Sequence, residues 1–232
     1  MFWKTVGLLS ALGAASLAVA YYLPPLVVRL RQVGKVRRNG AGKLALSYDD
    51  GPDDSLTPQL LDLLDRYQVK ATFFMVGFRA EKLPEVCTRL AAGGHELGTH
   101  TYSHRSAWKA GPLWSVRDTL RAYQVLNRWI RPSAPFRPPM GKATLPMLWA
   151  IRRRGAPVYW WTHRGCDTLD PLPEPARVAE VILKDPTGVV LLHSHHKEPE
   201  RQRYVLELTE RLISGALARG RKLCTVSEVL KP

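Results

Sequence analysis

Four carboxylates crowd one Gly-Pro turn in "ALSYDDGPDDS", residues 45–55: Asp49, Asp50, Asp53 and Asp54. They directly follow a short apolar run, so like charges meet where a buried strand ends. Each must be hydrated, paired or given a cation. Downstream, "GHELGTHTYSH" carries His95, His100 and His104. His100 and His104 stand four residues apart, which on a helical first turn puts two imidazoles on one face, within reach of one ion. Two imidazoles and one carboxylate form a facial set for a divalent metal, with positions left for water and substrate. Taken alone, H-x-x-x-H is equally the spacing of surface or packing histidines. Arg137 lies in the Pro-rich "FRPPMG", and "LLHSHH" adds His193, His195 and His196.

These groups need elements to hold them. Apolar runs of strand type fall at Leu44–Tyr48, Ala71–Val76, Glu96–Gly98, Val158–Trp161, Val189–Leu192 and Leu223–Val226, with a weaker one at Pro135–Phe136. Between them lie helical stretches: "TPQLLDLLDRY", "LPEVCTRLAAGG" with its terminal Gly pair, "WSVRDTLRAYQVLNRWI" and "RYVLELTERLISGALARG". There is no internal repeat and no low-complexity segment. Alternating β and α units predict an α/β fold with a parallel sheet covered by helices, as an open doubly wound sheet or a closed barrel. Either architecture gathers chemistry at the carboxyl ends of the strands, where the polar motifs fall.

In this order and at these separations, "SYDDGPDD", "HTYSH", "RPPMG" and "LLH" resemble the motifs of the polysaccharide deacetylase family, carbohydrate esterase family 4, whose type is the nodulation chitooligosaccharide deacetylase domain. The likeness covers about residues 43–230. It implies an irregular (β/α) barrel of about seven strands and metal-dependent hydrolysis of an N-acetyl group on an amino sugar. It assigns Asp50, His100 and His104 to one divalent ion, most often zinc. Asp49 becomes the general base, Arg137 the residue that steadies it, and His193 the general acid. Asp167, in "WTHRGCDT", aligns with the aspartate that orients the acid, with Asp170 or neither as alternatives. Pro139, Met140 and Trp108 are the implied substrate contacts, the Met140 backbone N–H serving the oxyanion.

The resemblance answers the crowding: one aspartate becomes a ligand, and the cation's charge relieves the repulsion on its neighbour. Asp53 and Asp54 are left to cap or flank a helix starting near Leu56. His95 is expected to pack near its strand, and His195 and His196 to lie in an exposed loop or line the cleft. Two departures stand out. Thr168 sits where the family commonly has Trp, which admits a different acyl group such as formyl, and Met140 sits where Tyr is frequent.

The 232 residues, 45% hydrophobic and 23% charged, suit one globular domain with an appendage. A net charge of +14 favours anionic surroundings. No nucleic-acid signature accompanies it, so no nucleic-acid partner is expected, and a monomer is. Cys87, Cys166 and Cys224 have no C-x-x-C spacing and indicate neither a disulfide framework nor a cysteine zinc site. Residues 6–23 carry no charge and reach the lower limit for crossing a bilayer. A single-pass anchor ending at Pro24–Pro25 is the preferred reading, and a signal peptide cleaved after "AVA" the other. The division expected is therefore 1–23 anchor or signal peptide, 24–42 basic connector and 43–232 catalytic domain. Arg29, Arg31, Lys35, Arg37 and Arg38 favour a cytoplasmic orientation by the positive-inside rule, whereas an envelope glycan substrate favours an extracytoplasmic, membrane-anchored one, which is the expectation adopted.

The function expected is removal of N-acetyl groups from a cell-envelope glycan, peptidoglycan or chitin-like. The alternatives are a deacylase or deformylase of a lipid-linked amino sugar, and a non-catalytic glycan-binding homologue. A phosphatase with an aspartyl nucleophile fits poorly, because "DDGP" lacks D-x-D spacing.

Overall fold

The computed structural model describes the backbone of residues 2–231 and the side chains of residue 19 and residues 21–231. Its centre is β1 (Lys43–Asp49), buried over six consecutive residues. A near-continuous apolar run of this kind marks a strand covered on both faces, as in a parallel sheet. Around it lie β2 (Thr72–Met75), β3 (Glu96–Thr99), β4 (His163–Arg164), β5 (Gly188–His193) and β6 (Lys222–Cys224). The order is β3-β2-β1-β5-β4, with β6 paired to the start of β1, and every pairing is parallel. The register sets Asp49 directly opposite His193. Two chemically useful side chains thus leave neighbouring strands at the same level.

The helices are α1 (Phe2–Asn39), α2 (Leu56–Arg66), α3 (Gly77–Lys82), α4 (Pro84–Ala92), α5 (Ala107–Ala110), α6 (Pro112–Leu126), α7 (Leu145–Arg153), α8 (Pro175–Lys184), α9 (Pro199–Ala218) and α10 (Val226–Leu230). Their buried stripes follow helical spacing: Leu56, Leu60, Leu61, Leu63 and Leu64 on α2, and Tyr204, Val205, Leu208, Leu212 and Ile213 on α9. Asp53 Oδ1 accepts from the N–H groups of Ser55 and Leu56 at 2.8 and 2.7 Å, satisfying free donors at the start of α2. All three cysteines are free thiols.

Several expectations are corrected here. The seven-strand barrel gives way to a six-stranded parallel sheet. The Phe136 run supplies only isolated bridges to Thr99 and Val158, because the prolines at 135, 138 and 139 lack the N–H that a ladder needs. The fourth strand lies at His163–Arg164 and not at Val158–Trp161. The transmembrane or signal segment also falls: among the described residues no helix is long and apolar enough to cross a membrane. Residues 6–18 and residue 20 of that stretch lie outside the described side chains. The membrane partner and the membrane-anchored, extracytoplasmic placement are withdrawn with it.

Pro24 and Pro25 do not end α1, which runs on to Asn39. Its second half docks on the domain instead, against α7, α10 and β5. Pro25 and Val36 are buried. The Gln32 side-chain amide donates to the Trp160 carbonyl at 3.1 Å and accepts from the Trp160 N–H at 2.8 Å. One side chain thereby satisfies both backbone groups of a buried residue that no strand pairs. Most of the 24–42 stretch, as far as Asn39, is thus helix, and its Gln32 and Val36 pack on the domain.

Candidate active site

Asp49 ends β1, and its buried carboxylate Oδ1 accepts from Arg137 Nη1 at 2.8 Å. Arg137 is completely buried. Its Nη1 also donates to Ser47 Oγ at 2.9 Å and its Nε to the Tyr159 carbonyl at 3.3 Å, while the guanidinium lies 4.1 Å from the centre of the Phe74 ring. Burial works against its charge, and the paired Asp49 carboxylate works to retain it. Asp49 is therefore held by a group that cannot turn away. The arginine reaches it from a Pro-rich loop distant in sequence.

Asp50 follows with φ of 69°, a left-handed turn that swings its carboxylate away from the Asp49 side chain. Gly51 completes the turn. A Cβ there would come within 2.3 Å of Ser194 Oγ, so only glycine fits under the β5 loop. Asp50 Oδ1 lies 3.0 Å from His104 Nε2 and 3.4 Å from His100 Nε2. The two rings stand 5.0 Å apart, centre to centre. No helix presents this pair, contrary to the expectation. His100 and His104 lie in an irregular loop after β3, where Thr101 and His104 take φ of 66° and 59° and fold the second ring back onto the first.

His100 Nδ1 sits 2.7 Å from the Arg137 carbonyl. That carbonyl can only accept, so the ring carries its proton on Nδ1 and turns a bare Nε2 toward Asp50. Burial pushes His100 toward its neutral form, against the pull of Asp49 and Asp50. Burial would raise the Asp50 pKa, but the neighbouring His104, His100 and His193 override it and hold the carboxyl well below the usual range. The result is an ionised Asp50 carboxylate facing a neutral His100 ring, protonation states that metal ligands need.

Two observations show that the cluster fits an ion. Asp50 Oδ1 is buried and makes no hydrogen bond, although two imidazole nitrogens flank it. Ligands at ~2.0–2.1 Å from a tetrahedral ion lie about 3.3 Å from one another, close to the observed separations. Asp49 Oδ2, 3.7 Å from His100 Nε2, stands beside the same spot without belonging to the set. A second convergent group, Asp167, His193 and His196, differs in just this respect. The Asp167 carboxylate already accepts from the His193 N–H at 2.7 Å and from both imidazoles at 3.1 and 3.2 Å.

His193, the last residue of β5, points its Nδ1 at Asp167 and leaves Nε2 for the site. Burial disfavours the imidazolium, but Asp167, followed by Asp50 and Asp49, outweighs it and raises the His193 pKa to about 9. Asp167 is fixed in turn by Arg201 Nη1, which donates to its carbonyl at 2.9 Å. The alternative Asp170 is exposed, as is Thr168.

Of the other expected residues, Pro139 is buried and Met140 exposed, in a tight turn where Met140 has φ of 55°. Trp108 is 49% exposed and donates from Nε1 to the Ala143 carbonyl at 3.0 Å. His95 packs edge-on against Phe73, and burial brings its pKa down to about 4. Of the two readings of His195 and His196, the exposed loop fails. His196 is buried against Asp167, and His195 is half-buried, 2.6 Å from Asp53 Oδ2 and 3.1 Å from Arg79. Ser47 and His196 are the site residues that the motifs did not reveal. Ser47 alternates with Asp49 on one face of β1, a periodicity that could have found it. Nothing local marks the turn that brings His196 back.

Residues 37–159 match the polysaccharide deacetylase family. A peptidoglycan-N-acetylglucosamine deacetylase of Bacillus cereus is 32% identical over 191 residues, 81% of this chain and 88% of the relative. This chain belongs to the polysaccharide deacetylase family. A chitooligosaccharide deacetylase of Bradyrhizobium sp. is 30% identical over 200 residues, covering 82% of this chain and 86% of that one. Among solved structures, the Bc1960 peptidoglycan N-acetylglucosamine deacetylase aligns with a TM-score of 0.74 at 28% identity, over 82% of this chain and 89% of the other. With this family membership, the Asp50–His100–His104 cluster is a divalent-metal-binding site and the chain a metal-dependent hydrolase.

Proposed function

We propose that this protein is a zinc deacetylase that removes N-acetyl groups from the amino sugars of peptidoglycan or a chitin-like glycan, with residues 43–232 as its catalytic unit. The carrying observation is the convergence of Asp50, His100 and His104 beside the Asp49–Arg137 pair, with His193 opposite Asp49. The donor set of two imidazoles and one carboxylate suits zinc. When bound, the ion polarises the amide carbonyl and acidifies water toward a pKa of about 7.

The protein's own groups do the proton work. Asp49, locked by Arg137, takes the proton of the attacking water as its oxygen bonds to the carbonyl carbon. The Met140 backbone N–H, in the tight turn after Pro139, is assigned the donation to the developing oxyanion. His193, protonated and oriented by Asp167, gives its Nε2 proton to the amide nitrogen as the C–N bond breaks. An amine leaves poorly without that proton. Acetate and a free amino sugar result. Pro139 shapes the wall, and the exposed indole of Trp108 offers a face to a neighbouring sugar.

The test is acetate release from N-acetylchitooligosaccharides and from peptidoglycan, by the chain stripped with a chelator and then supplied with Zn²⁺. Release that depends on metal supports the reading. Absence of release from both substrates with metal bound rejects it.

A further inference from the structure

Two clefts adjoin the site and share Met140 and Lys142. One, of about 290 Å³, starts at the metal-ligand residue His104 and includes Arg105 and Lys109. The other, of about 580 Å³, runs between α1 and the Met140–Ala143 turn, past Trp108, to Tyr22 and Arg29. Arg105, Lys109, Lys142 and Arg29 mark the combined path, and among the described residues no Asp or Glu lines either cleft. Its floor is aromatic. Tyr22 meets Trp108 edge-on at 5.0 Å and Lys142 Nζ lies 5.1 Å from the Trp108 ring centre, while the Arg29 guanidinium lies 5.4 Å from the ring centre of Trp161, which is buried outside the two clefts. We propose that this groove is a subsite for a negatively charged glycan, in which Arg29 and Lys142 bind a carboxylate or phosphate on a sugar flanking the one deacetylated, and Trp108 stacks on the ring between.

The physical argument is charge left uncompensated. Burial disfavours the positive charge of Arg29, and the nearby Arg164 disfavours it further. An incoming anion relieves both penalties, and a planar guanidinium binds carboxylate or phosphate through paired N–H groups. A neutral chain would gain only the aromatic contacts. The arrangement also gives a role to part of the basic run at Arg29–Arg38, which brings Arg29 to the cleft because α1 is docked by Gln32.

This assignment rests on the deacetylase reading for its substrate class, and the two are tested separately. Steady-state rates are compared for zinc-loaded wild type, Arg29→Gln and Lys142→Gln on three oligosaccharides of equal length: neutral N-acetylchitooligosaccharide, a carboxylated N-acetylated one and a phosphorylated one. The subsite predicts that each substitution raises KM for at least one acidic substrate by about three- to tenfold with kcat retained, and moves the neutral substrate less than twofold. The acidic arm that responds identifies the anion. Equal KM changes on neutral and acidic substrates, or no change on either, overturns the proposal. If wild type processes none of the three, the deacetylase reading fails. Calorimetric binding of the acidic oligosaccharides to zinc-loaded Asp49→Asn protein, with and without Arg29→Gln, then decides the subsite: weaker binding in the double variant supports it, and equal binding rejects it.

Discussion

Adjacent aspartates divide two tasks because the backbone turns between them. Asp49 stays in strand geometry and meets Arg137, while Asp50, at positive φ, meets two imidazoles. Their replacements should therefore fail differently. Asp50→Asn should weaken Zn²⁺ binding about a hundredfold or more and lose turnover with it, as calorimetry and acetate release would register. Asp49→Asn should keep the metal and lose about 10²–10⁴ in kcat. His193 makes a further prediction. As a proton donor it works below its own pKa, so activity should fall as pH rises through that value, about 9 in the metal-free site. A bound cation repels the imidazolium and moves this limb to lower pH. Asp167→Asn removes the carboxylate that favours the charged ring and should move it lower still, seen as a shift of the alkaline limb in kcat against pH. The metal cluster was legible because Asp50, His100 and His104 sit in compact motifs. His196 was not, because its contact with Asp167 depends on how a loop of three residues closes.

Strand register does what no single motif does. The parallel pairing of β1 and β5 places Asp49 opposite His193 across 144 positions of sequence, and a slip of one residue would turn one of them away. The apolar runs announced both strands, since burial on two faces leaves little room for polar residues. The fourth strand was misplaced because "VYWW" is apolar for another reason: Trp160 and Trp161 pack under the Met140–Gly141 turn and against α1. Docking of α1 hangs on Gln32, and Gln32→Leu should strip two buried backbone groups of their partners. Chemical denaturation should show a loss of about 1–3 kcal/mol. Arg38→Gln, on the exposed side of the same helix, should change stability by less than about 0.5 kcal/mol.

Over the molecule as a whole, a net charge of +14 creates a field that draws anions toward a cleft whose charged lining, among the described residues, is entirely cationic. For an acidic glycan, KM should rise with ionic strength as the Debye length shrinks below about 8 Å, while KM for a neutral oligosaccharide stays flat. The family and the metal triad were readable from residue order, because metal chemistry demands particular side chains and those side chains occur in short motifs. The α/β class was readable too, since the periodicity of burial is written locally. Tertiary structure alone decided which imidazole nitrogen faces Asp50, that Arg137 and Ser47 brace Asp49, and that the helix before β1 packs on the domain and walls a groove. Those outcomes depend on which distant surfaces meet.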